Sequence, residues 1–174
     1  MRKLKKLFLF LPVLLSISCA VKVKTITDSF YGTQHYQTDY MTITGWDTTI
    51  KLRFSKIEHN DNIILEALYV SSAAFTISKE NKIILKFSDN SLINLNYTSE
   101  MSKIDKGETL STYKWLIYDT DYFDTYTINA NAKVDNIGIL TAIRIENSGG
   151  FKNLEVTPSF AKKFLKAYED IIKK

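Results

Sequence analysis

The feature that most constrains this chain is a set of period-2 alternations between apolar and polar residues. Ile50, Leu52 and Phe54 alternate with Lys51, Arg53 and Ser55. Ile83, Leu85 and Phe87 alternate with Ile84, Lys86 and Ser88, and Ile93, Leu95 and Tyr97 alternate with Asn94 and Asn96. Successive side chains of a strand point to opposite faces, so each segment carries one core face and one solvent face. A helix would scatter the same residues around its circumference. The last two segments are joined by Asp89-Asn90-Ser91. Asp and Asn tolerate the positive φ that tight hairpin turns require, so turn chemistry and strand pattern agree.

Weaker signals extend the same reading. Residues 21–25 alternate apolar and basic, as a first strand or as a short tether. A strand over 40–44 is closed by Gly45, and the polar run 59–62 favours a turn through local side-chain bonds to the backbone. Residues 63–70 form an apolar run broken chiefly by Glu66, which suits a central strand covered on both faces. Short strands are expected over 75–77, 113–118, 122–128, 139–146 and 151–156, and the polar stretch 98–112 reads as the longest loop.

The chain closes differently, with a helix over 158–173. Thr157 suits the N-cap, and Pro158 suits the first helical position, where its missing N–H is no loss. Phe160, Phe164, Tyr168 and Ile171, with Ala161, Leu165 and Ile172, form one apolar stripe. Lys173 and Lys174 stand at the negative end of the helix dipole. The expected fold is mainly β (α+β): an antiparallel β-sandwich or flattened barrel of eight to ten strands with one C-terminal helix.

The first residues do not belong to that pattern. Arg2, Lys3, Lys5 and Lys6 precede the apolar run 7–15, which ends in Leu15-Ser16-Ile17-Ser18-Cys19. A basic head, a short apolar core and small residues at a cleavage site make a secretory signal, and the run is too short to span a bilayer. Cys19 is the one cysteine of the chain and lies where a processed signal ends, and a thiolate is a competent nucleophile for acyl transfer. The segment resembles the precursor of a bacterial lipoprotein of the small Bacteroidota type, although Leu15 stands one place further from the cysteine than usual. The resemblance covers only the segment up to about Ala20. It implies a signal peptide over 1–18, a lipidated N-terminus at Cys19 with a tether over 19–28, and a single domain over 29–174. Ala20-Val21-Lys22 lacks the acidic run that marks surface export in such lipoproteins, so the resemblance implies an outer-membrane protein facing the periplasm. The alternative is an ordinary signal cut near Ala20.

Cleavage before Cys19 removes 18 of the 174 residues and leaves 156, a natural size for one domain. Four of the 23 Lys and Arg lie in the basic head, so 19 remain against 19 Asp and Glu. A neutral domain has no surplus charge to displace counterions from phosphates, which argues against nucleic acid as a partner. With no cysteine pair, the domain rests on its apolar core alone.

Candidate chemistry is sparse. His35 and His59 are the only histidines, so no Cys/His metal site of known spacing exists. Asp119, Asp121 and Asp124 fail the EF-hand pattern, because Phe123 holds the fifth place and Asp124 the sixth. No nucleophile-and-base signature is present, and we expect no enzymatic activity, metal or cofactor. The aromatic residues Tyr31, Tyr36, Tyr40, Trp46, Tyr118, Tyr122 and Tyr126 are the candidates for a binding surface, since aromatics dominate recognition patches. The expected function is a non-enzymatic, membrane-anchored envelope lipoprotein that binds an envelope protein, a glycan or another ligand. The alternatives are a lipocalin-like carrier of an apolar ligand and, last, an envelope hydrolase.

Overall fold

A computed structural model describes residues 21–45, 48–71, 80–97, 102–104, 125–147 and 149–174, with backbone only for 102–104 and 125–128. The signal segment with Cys19, the expected strands over 75–77 and 113–118, and the Asp119–Asp124 cluster all lie outside these residues.

Within them the chain forms eleven strands and one helix. The strands are β1 (Val23–Thr27), β2 (Gln34–Thr38), β3 (Met41–Thr44), β4 (Thr48–Ile57), β5 (Ile63–Ser71), β6 (Lys82–Phe87), β7 (Leu92–Tyr97), β8 (Ser102–Ile104), β9 (Thr125–Val134), β10 (Leu140–Asn147) and β11 (Gly150–Glu155). The helix α1 spans Pro158–Ile172. All pairings are antiparallel. The strands make one sheet in the order β1-β2-β4-β5-β9-β7-β6-β10-β11, with β3 beside β4 and β8 beside β9. The two ends of the order do not pair, so the sheet is mainly β as expected but is not closed into a barrel.

The alternating segments behave as their periodicity dictates. Ile50, Leu52 and Phe54 are buried, and so are Ile83, Leu85 and Phe87. The β6–β7 connection is the four residues Ser88–Ser91, in which Asn90 takes positive φ (66°). Its N–H donates to the Phe87 carbonyl, while the Asp89 carboxylate accepts from the Ser91 N–H and hydroxyl. That hydrogen bonding holds the Asp89 carboxyl below its ordinary pKa.

The sheet curls around the helix. Phe164 of α1 stands 4.9 Å from Phe54 on β4 and 6.5 Å from Phe87 on β6, ring centre to ring centre. In the sheet order β4 and β6 are four strands apart, which in a flat sheet would separate them by about 19 Å. Meeting one phenylalanine requires strong curvature, and the two halves of the sheet then face each other over a shared core, as in a sandwich. At the open ends, Leu154 of β11 reaches Gly45 at the end of β3: a Cβ on Gly45 would lie 3.2 Å from a Leu154 methyl. Lys152 of β11 donates to the Thr48 hydroxyl of β4 (3.0 Å).

The helix has the predicted N-cap. The Thr157 hydroxyl accepts from the Phe160 N–H at 3.2 Å, and Pro158 opens the first turn. Ala161, Phe164, Ala167, Tyr168 and Ile171 are buried, whereas Ile172 is exposed. The Tyr168 hydroxyl donates to the Asp135 carbonyl (2.8 Å), tying the helix to the segment after β9.

Three expectations need correction. The run 63–70 is not covered on both faces: Ile63, Leu65, Ala67 and Tyr69 are buried, but Ile64, Glu66, Leu68 and Val70 are half-exposed. It is central in the order yet one-faced, as antiparallel sheets commonly are. Of the strand expected over 122–128, residues 122–124 lie outside the described ones, and the rest belongs to β9, which runs on to Val134 because Ala130, Ala132 and Val134 pair with Ala67, Leu65 and Ile63 of β5. The stretch 98–112, expected as a loop, holds β8 (Ser102–Ile104), its other residues lying outside the described ones.

Candidate functional site

The most organised group of polar side chains on the described surface is built on an irregularity beside β4. β2 and β3 both pair with the same edge of β4, one after the other. His35 opposes Ile57 and Gln37 opposes Ser55, but Met41 opposes Leu52, so one extra residue is accommodated between Thr38 and Met41. Such a bulge interrupts the ladder and re-aims side chains. Here the buried Thr38 hydroxyl replaces the missing backbone acceptor, taking the Phe54 N–H at 3.0 Å. Asp39 turns toward β1, where its N–H donates to the Lys22 carbonyl (3.0 Å) and its carboxylate pairs with Lys24 (2.5 Å). The Lys24 hydrogen bond lowers the Asp39 pKa.

The bulge delivers Tyr40 to the outer face. Its ring lies 4.7 Å from the guanidinium carbon of Arg53. Arg53 opposes Glu66 across the β4–β5 ladder and makes a forked pair with its carboxylate: Nε donates to Oε2 at 2.7 Å, and the Nη2 contact to Oε2 is 2.6 Å. Nη1 donates to Gln37 Oε1 (3.2 Å), and the Ser55 hydroxyl donates to Glu66 Oε1 (2.5 Å). Both charged side chains are about three-quarters covered (26% exposed each). The Tyr40 phenol is pushed above its ordinary pKa by burial, against the opposing pull of Arg53. At neutral pH it stays a hydrogen-bonding hydroxyl.

From this cluster the register continues a polar row across the sheet. Glu66 opposes Asn131 of β9, and Asn131 opposes Asn96 of β7, both exposed. An aromatic ring at one end, a stacked guanidinium and a row of amides present both stacking and hydrogen-bonding groups on one face. Groups of this kind take up sugar hydroxyls or a peptide backbone.

The predicted tyrosines separate. Tyr31 sits at the tip of the β1–β2 turn and is exposed. Tyr36 turns inward, packs against the core and donates its hydroxyl to Gln34 Oε1 (2.9 Å). Tyr40 alone joins the outer cluster. The three therefore form no common platform. Trp46, Tyr118 and Tyr122 lie outside the described residues, and Tyr126 is placed in β9 without a described side chain. Of the histidines, His35 is half-buried in β2 and His59 is exposed in a turn with positive φ (63°), 3.8 Å from Glu58. Arg53, Glu66, Gln37 and Ser55 carry no signal in the sequence beyond standing on the polar faces of expected strands. What joins them is register and a bulge.

Among the described residues, no cluster of three or more His, Cys, Asp or Glu side chains is placed to hold a metal ion, and no helix is long and apolar enough to cross a membrane. No protein-family model matches this chain, and neither a curated protein nor a solved structure does.

Proposed function

We propose that this chain is the precursor of a membrane-anchored cell-envelope lipoprotein. In this reading the mature domain is a non-enzymatic interaction module that binds through the outer face of its sheet. The observation that carries the binding half is the Tyr40–Arg53–Glu66 cluster with the amide row beside it. Holding an ion pair in this partly covered position costs desolvation, and a sheet face needs no such group for its own stability. The anchor half rests on the basic head, the short apolar run and Cys19.

The filled interior supports this reading over a carrier. Phe54, Phe87 and Phe164 occupy the space that the curled sheet encloses, where a lipocalin-like protein would hold its ligand. The expected partner is an envelope protein or a glycan, and the expected location is the periplasmic face of the outer membrane.

The test places a photo-crosslinking residue at Thr42, which is exposed on the same outer face two residues after Tyr40. A discrete crosslinked species in intact cells, lost with Tyr40→Ala and Arg53→Ala, is the expected result. Crosslinking that is absent, or that both substitutions leave unchanged, contradicts binding through this face.

A further inference from the structure

Resting on the anchor reading, we propose that the domain does not hang free of the bilayer but lies against it. The docking surface is the β1–β2 edge, with Phe30 and Tyr31 entering the interfacial region.

The tether is short. Val21 is buried in the core (6% exposed), so the chain is pinned to the domain only two residues after Cys19. Two residues span at most about 7 Å. A lipidated Cys19 would hold Val21, at the end of β1 away from the turn, within that reach of the headgroups; with the edge strand β1 lying along the bilayer, the turn about 20 Å further on comes to the same depth.

That surface carries the two most exposed large hydrophobic side chains among the described residues. Phe30 and Tyr31 are 85% and 75% exposed, and their rings meet edge to face at 4.8 Å. Ile26 of β1 and Ile57 of β4 flank His35 in one register row of the outer face, and they are 48% and 44% exposed. Exposed aromatic and aliphatic groups gathered at one edge mark a surface that meets something apolar. Aromatic rings with a polar rim suit the boundary between headgroups and acyl chains.

The turn presents the rings in a fixed pose. The Asp28 carboxylate accepts from the N–H of Phe30 (2.8 Å) and of Tyr31 (3.1 Å). The Gly32 N–H donates to the Asp28 carbonyl and the Asp28 N–H to the Thr33 carbonyl, both at 2.8 Å, with Gly32 at φ 68°. The Asp28 charge is thereby hydrogen-bonded at the turn, while exposed Lys22, just before the edge strand, suits anionic headgroups. With the backbone already ordered, little entropy is lost when the rings insert.

The test uses the lipidated protein in vesicles of phosphatidylethanolamine and phosphatidylglycerol. A nitroxide is attached at Ser29→Cys or, as a control five strands away in the sheet, at Asn94→Cys. A lipidated Cys19 leaves the introduced cysteine as the sole free thiol. Collisional access to oxygen and to a water-soluble nickel chelate reports depth. The expected result is a severalfold loss of nickel access with retained oxygen access at position 29, and full nickel access at position 94. Phe30→Ser with Tyr31→Ser should restore nickel access at position 29 while the protein still floats with the vesicles. Equal nickel access at both positions overturns the docking and leaves the anchor intact. Loss of access to both relaxants at position 29 also overturns it, by showing a protein contact there. A chain that does not float with the vesicles overturns the anchor and the docking together.

Discussion

Phe164→Ala is the sharpest test of the fold, because one side chain joins the two halves of the curled sheet. Phe164 is fully buried, with ring centres at 4.9 Å to Phe54, 6.5 Å to Phe87 and 6.3 Å to Phe160. Truncating a buried phenylalanine costs about 3–5 kcal/mol through lost transfer energy and the cavity left behind. A domain of this size holds roughly 5–15 kcal/mol in total, so the variant should fold but be marginal. With a urea slope of about 2 kcal/mol per molar, the midpoint should fall by roughly 2 M. Ile172→Ala, on the exposed side of the same helix, should stay within about 0.5 kcal/mol of the parent. Combining Phe164→Ala with Phe54→Ala should reveal a coupling of about 1 kcal/mol, the size expected of an aromatic pair. The readout is urea unfolding of the domain from Ala20 onward, followed by circular dichroism. If Phe164→Ala lowers the midpoint no more than Ile172→Ala does, the helix is not part of the core and the curled-sheet description fails.

Thr38→Val should cost about 1–3 kcal/mol by orphaning the buried Phe54 N–H, whereas Thr38→Ser should be nearly silent in the same urea assay. Glu66→Gln should cost about 1–2 kcal/mol and lose most of that effect in an Arg53→Met background, as a double-mutant cycle would read out. Thr157→Ala should lower stability by about 1 kcal/mol through loss of the helix N-cap. Alkali should be destabilising. Burial raises the Tyr97 pKa above 10.0, with Tyr69 and Glu146 adding, and burial likewise raises that of Tyr168. A phenol that ionises near 10.0 when unfolded but later when folded contributes stability below pH 10 and loses it as pH rises further. Urea midpoints measured on either side of pH 10 should fall, with a shallower fall in Tyr97→Phe; equal slopes in parent and variant would contradict the tyrosine origin.

What was legible in the sequence was what a single segment encodes. The alternation of Ile50, Leu52 and Phe54 and the Asp89-Asn90-Ser91 turn fix strand type and hairpin locally, and the capped amphipathic stripe after Thr157 fixes the helix. Segments stabilised by neighbours were not legible. Gln34–Thr38 has little strand propensity and becomes β2 because it pairs with β1 and β4. The Asn-Ala alternation of residues 129–132 looks like loop until Leu65 and Ala67 of β5 supply its partners. The candidate site was the least legible part. Tyr40 stood among the candidate aromatics, but its meeting with Arg53 depends on a bulge at residues 38–41, and Arg53 meets Glu66 only through register. Composition carries neither. The same absence of register explains why Tyr31, Tyr36 and Tyr40, close in sequence, point to three different places.

The most direct test of the central claim is the intact mass of the protein extracted from membranes, with Cys19→Ala as the control. The prediction is a chain that begins at Cys19 and carries the added mass of a diacylglyceryl group and further acylation, absent from the variant. A parent chain that carries no lipid, whether cut near Ala20 or uncut, would contradict it.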